Sequence, residues 1–80
     1  MISGNQIRAA RALIDCDQQT LATAAGIGIS TLVSLERPGA SPVTGLAKTL
    51  QAVLGALQAR GVVVVPNGVA LREVIESNAA

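Results

Sequence analysis

The sequence predicts a small, mainly α-helical domain that ends in a short β-hairpin, and three observations predict it. Apolar residues recur at three- and four-residue spacing in successive segments separated by Gly, Pro or Asp. The run VVVVPNGVAL, residues 62–71, then replaces that period with β-branched residues around an Asn-Gly turn signal. Phe, Trp and Tyr are absent although 50% of the residues are apolar, so the core has to be built from Leu, Ile, Val and Ala. Eighty residues make one domain with one core. Such a domain buries only about 60% of the surface its unfolded chain exposes, which favours a partner subunit that adds burial.

The first helix is expected over Gly4 to Ile14. Ser3 followed by Gln6 three residues later is a capping box, and Ile7, Ala10 and Ile14, with Leu13 beside them, form an apolar stripe from which Arg8 and Arg11 stand aside. Asp17 then caps a second helix, Gln18 to Ala25, with Leu21, Ala22 and Ala25 inward, and Gly26 ends it in the left-handed conformation. A third helix follows over Ile29 to Glu36, with Gly28 as its N-cap. Two helices joined by about three residues around a Gly have the spacing of a helix-turn-helix, here residues 18–36.

RPGASP breaks the chain, and Pro42 opens a long helix that is expected to reach Arg60. Leu46, Leu50, Leu54 and Leu57 line its apolar face, Gly45 and Gly55 weaken it, and Gly61 follows it as a cap. Four consecutive valines without polar alternation predict a strand covered on both faces. An unprotected edge of that kind invites association, so a dimer interface is expected at Val62, Val63, Val64, Val65, Val69 and Leu71. The division is therefore 1–61 for the helical part, 62–72 for the β segment and 73–80 for a tail with at most one more helical turn.

Composition excludes several classes of function. Without His, and with Cys16 the lone cysteine, the chain offers no internal disulfide and no metal-ligand pattern; Cys16 reads as a small buried hydrophobe. No paired-carboxylate motif or phosphate-binding glycine loop is present, so enzymatic activity and a cofactor are not expected. No apolar run approaches the ~18 residues that span a bilayer, and the start lacks the apolar stretch of a signal peptide, so a cytoplasmic location without membrane association is expected. Six basic against five acidic residues give a net charge of +1, too even for composition alone to identify a nucleic-acid partner.

The stretch DQQTLATAAGIGISTLVSLER resembles the lambda-repressor/Cro-like, or XRE-type, helix-turn-helix regulators. Gln18, Leu21-Ala22, Ala25-Gly26, Ile27, Ser30-Thr31-Leu32 and Leu35-Glu36 stand in that family's register, and IRAARAL before them is similar to its first helix. The resemblance implies a four-to-five-helix domain. Ala22 and Gly26 are small where the second and third helices cross, and Leu21, Ala25, Ile27, Leu32 and Leu35 face the core. It further implies that the start of the third helix enters the major groove of double-stranded DNA. Gly28, Ile29, Ser30, Thr31, Val33 and Ser34 then face the groove, where Ile29 suits a thymine methyl and the serines a base edge. Gln18, at the start of the second helix, would clamp a phosphate, and Arg37 and Lys48 would add phosphate contacts. Arg11 and Glu36 would pair between the first and third helices. Asp15 stands where the family usually has a left-handed Gly, and Pro38 where it commonly has Gly.

Two functional readings follow. The first is a transcriptional regulator that binds a two-fold symmetric operator as a homodimer. The second is the same fold turned to protein binding, an antiactivator or antitoxin-like partner of another regulatory protein. Exposed Ile29 and Val33 beside few basic residues favour the second; Gln18 and Ser30-Thr31 favour the first.

Overall fold

The computed structural model describes residues 2–39, 47–66 and 68–72. Among these, the chain runs α1 (Gly4–Leu13), α2 (Gln18–Ala25), α3 (Ile29–Glu36), α4 (Ala47–Ala59), β1 (Val62–Val65) and β2 (Gly68–Leu71). The expected start of the long helix at Pro42, with Gly45 and Leu46, lies outside the described residues, as do Asn67 and the tail 73–80.

Local chemistry sets the start of α1 and both ends of α2. Ser3 Oγ accepts the Gln6 N–H at 3.2 Å while Gln6 Oε1 accepts the Ser3 N–H at 2.8 Å, which satisfies two donors that the start of α1 would otherwise leave free. Asp17 accepts the Thr20 N–H at 2.7 Å and caps α2. Gly26, at φ 71, ends α2 in the left-handed region, as its lack of a Cβ allows. Asp15 turns the chain between α1 and α2 at φ 49, a conformation that Asp tolerates better than most residues.

Ile7, Leu21, Leu32, Val53, Leu57 and Val62 are the large side chains with no more than 1% exposure, so all four helices and β1 meet in one aliphatic core. Ala10 and Ala22 are fully buried and small, which lets the helices approach. Cys16 is buried, its thiol directed at the Asp17 carbonyl. Leu13 departs from expectation: it is 41% exposed, at the last turn of α1 beside Ile14, Leu71 and Arg60 rather than in the core.

The strands pair antiparallel with Val62 opposite Leu71, Val63 opposite Ala70, Val64 opposite Val69 and Val65 opposite Gly68. Residues opposite one another share a face. Val62, Val64, Val69 and Leu71 pack on this chain's own core, whereas Val63, Val65 and Ala70 belong to the other face. Of the two faces expected to be covered, α1 and α4 of this chain cover one. Val62, at 0% exposure, is a core residue and has no surface to give an interface.

α1 also approaches α3 closely. A Cβ added to Gly4 would lie 2.8 Å from the carbonyl carbon of Glu36 and 2.9 Å from its Cα, and closer still to the carbonyl oxygen. The Asn5 N–H donates to the Gly39 carbonyl at 2.9 Å, so the first turn of α1 is fastened to the chain leaving α3. No helix among the described residues is long and apolar enough to cross a membrane.

Candidate functional site

The candidate site is built where α1, the start of α2 and the end of α3 converge. Arg11 Nε donates to Glu36 Oε2 and Arg11 Nη2 to Glu36 Oε1, each at 2.8 Å, a two-pronged pair of the kind a planar guanidinium makes best. Arg11 Nη1 also holds the Cys16 carbonyl at 3.2 Å. The Glu36 side chain is 3% exposed and that of Arg11 17%, so the pair joins the helices from inside. The hydrogen bonds to Glu36 raise the Arg11 pKa above its ordinary value, outweighing the opposing effect of burial.

Gln18 completes this cluster. Its Nε2 donates to Glu36 Oε1 at 3.2 Å, which holds the side chain over the ion pair. Glu36 thus accepts from two helices at once. Asp17, at the cap of α2, has its pKa lowered chiefly by the Thr20 N–H and next by the Thr20 hydroxyl.

Above the pair lies an open cleft of about 570 Å³ lined by Arg8, Arg11, Asp17, Gln18, Val33, Glu36 and Arg37. Three of the chain's six basic residues therefore gather in one place. Arg11 is matched by Glu36, which leaves Arg8 and Arg37 as the cations facing the opening, with Asp17 on its rim. Next to the cleft, α3 turns Ile29, Ser30, Thr31 and Ser34 to solvent, and Gly28 before it is exposed too. The hydroxyls of Ser30 and Thr31 lie close to Gly28, about 4.0 and 3.9 Å from where its Cβ would stand. Val33 is half-buried on the cleft wall. Lys48 is exposed on α4 and does not line the cleft. The arrangement is a cationic hollow flanked by a surface of hydroxyls and one exposed aliphatic side chain, suited to an anionic partner with apolar features.

Two residues escape the sequence reading. Arg8 does so because a lone arginine off the apolar stripe reads as a solvated charge, although its position three residues before Arg11 places both on one helical edge. Gln6 reads as a capping residue alone, yet its Nε2 also donates to the carbonyls of Val65 at 2.8 Å and Gly68 at 3.1 Å. No local signal reveals that second role. No protein-family model matches the chain, and no curated protein matches it.

Proposed function

We propose that the chain is a helix-turn-helix regulator that binds double-stranded DNA as a homodimer, with α3 as the reading element in the major groove. The observation that carries the reading is the combination of an α3 whose outer face holds Ile29, Ser30, Thr31 and Ser34 with a cationic cleft immediately beside it. Base edges and thymine methyls call for hydroxyl and aliphatic contacts, and the flanking backbone for fixed cations. The α2–turn–α3 spacing, with Gly26 left-handed at the corner, supports the helix-turn-helix part of this reading. Residues 1–61 would form the DNA-binding part.

The hairpin is the proposed dimer element, through the outward Val63, Val65 and Ala70. Val65, at 37% exposure, is the large apolar side chain most open on that face. A second copy would cover it and double the number of phosphate contacts.

A second reading is favoured by two specific observations. Ile29 is 42% exposed, and the Gln18 amide that would clamp a phosphate is engaged with Glu36. Both suit a protein partner seated on α3. Selection from a random duplex library at moderate salt, followed by sequencing, separates the two. Enrichment of a two-fold symmetric motif is the expected result. Folded protein that enriches nothing at low or moderate salt refutes the DNA reading and makes Ile29 the first interface residue to change.

A further inference from the structure

We infer that Arg8, from α1, and Arg37, from the end of α3, form the principal seat for a DNA backbone phosphate. The inference rests on the DNA-binding reading above and specifies which cations meet the backbone.

Arg8 is not a freely swinging surface arginine. Its Nη2 donates to Asn5 Oδ1 and lies 3.6 Å from where a Cβ on Gly39 would stand. Asn5 is fastened in turn, because its N–H donates to the Gly39 carbonyl at 2.9 Å and the Gly39 N–H donates to the Glu36 carbonyl at 3.2 Å. The guanidinium of α1 is thereby held over the turn that carries Arg37, and both line the same cleft. An arginine oriented before binding loses less side-chain freedom when it meets a phosphate.

The other charged groups of the cleft do not compete for this role. Arg11 has both prongs on Glu36, and Gln18 donates to the same carboxylate. Asp17 stands on the rim with an oxygen turned to the Thr20 N–H. Lys48 lies outside the cleft. A phosphate entering here meets two guanidiniums from two elements, with the Asp17 carboxylate on the rim as the one charge that opposes it.

Binding of the full chain to a fluorescent duplex of about 30 base pairs, followed by anisotropy from roughly 50 to 200 mM salt, tests the seat. Arg8→Gln and Arg37→Gln should each flatten the slope of log K against log salt by about 0.9 per bound protomer and weaken binding about eightfold per contact at 0.1 M salt. Arg8→Lys should keep the slope, since the charge remains, and Arg60→Gln, outside the cleft, should overlay the wild type. Arg8 is exposed, so its variants should keep the wild-type melting curve. An Arg8→Gln protein with the wild-type slope overturns the seat while leaving DNA binding in place. Equal flattening by Arg60→Gln also overturns it, by showing a general charge effect. Wild-type protein that does not bind at the lowest salt overturns both the seat and the DNA reading.

Discussion

The same substitution, glycine to alanine, should have opposite effects at two helical positions of this chain. Gly55 lies in the middle of α4, exposed, with no atom of the described residues within 4 Å of where an added methyl group would stand, so the exchange improves helix propensity without a clash among them. Gly55→Ala should raise stability by roughly 0.5–1 kcal/mol. Gly4 begins α1 against the backbone of Glu36, where a methyl group would fall 2.8 Å from a carbonyl carbon. The obstacle is backbone, which cannot rotate away as a side chain can, so α1 and the end of α3 have to separate. Overpacking of this kind costs about 1–3 kcal/mol, only partly offset by a propensity gain of at most about 1 kcal/mol. A domain of this length has a total stability of roughly 4–12 kcal/mol, so the loss is a sizeable fraction of it.

Urea unfolding followed by circular dichroism, at one fixed protein concentration, reads both effects in a chain that has no Trp or Tyr for fluorescence. A net loss of about 1 kcal/mol should lower the melting temperature by about 4–8 °C. A Gly4→Ala protein as stable as the wild type, beside a Gly55→Ala protein that gains as expected, would refute the close approach of α1 to α3. The consequence reaches the candidate site, since the first turn of α1 holds both the chain leaving α3 and Arg8.

Gln6→Ala should cost about 1–3 kcal/mol, because the carbonyls of Val65 and Gly68 lose their common donor. Amide hydrogen exchange should show the loss of protection concentrated in β1 and β2; uniform loss across α2 and α3 would argue against a latch. Asp17 has a pKa lowered in the folded state, so the stability its cap contributes is fully present above the ordinary value of 3.8 and is lost as pH falls through the lower folded value. The difference in melting temperature between wild type and Asp17→Asn should therefore shrink as pH falls below 3.8, and a difference independent of pH would refute that origin.

The boundaries of α1 to α3 are legible in the sequence because their signals are local. Ser3 with Gln6, Asp17 with Thr20, and Gly26 each act within a few residues. The tolerance of Asp15 for a left-handed turn can be anticipated for the same reason. The pair Arg11–Glu36 follows from resemblance alone, since 25 residues separate the partners and neither has a local signal. Leu13 illustrates the limit of periodicity. The spacing of α1 places it beside the apolar stripe, but whether a residue there is covered depends on how far the hairpin extends over the helix. The valine run shows the same limit, because it specifies a buried strand without specifying which chain buries it.

Composition is least informative about charge, and the reason is physical. A net charge describes the field far from the molecule, whereas a phosphate at contact responds to charges within about a Debye length, roughly 10 Å at 0.1 M salt. Here the fold draws Arg8, Arg11 and Arg37 together and matches Glu36 against Arg11, so that Arg8 and Arg37 face the opening of one cleft with the Asp17 carboxylate on its rim. Neither arginine identifies that cleft alone. Arg8 reaches it because Asn5 ties α1 to Gly39, and Arg37 because α3 ends there. The close Gly4 contact, the Asn5–Gly39 link and the Gln6 latch all fall in the first turn of α1, which thus fastens the hairpin on one side and the end of α3 on the other.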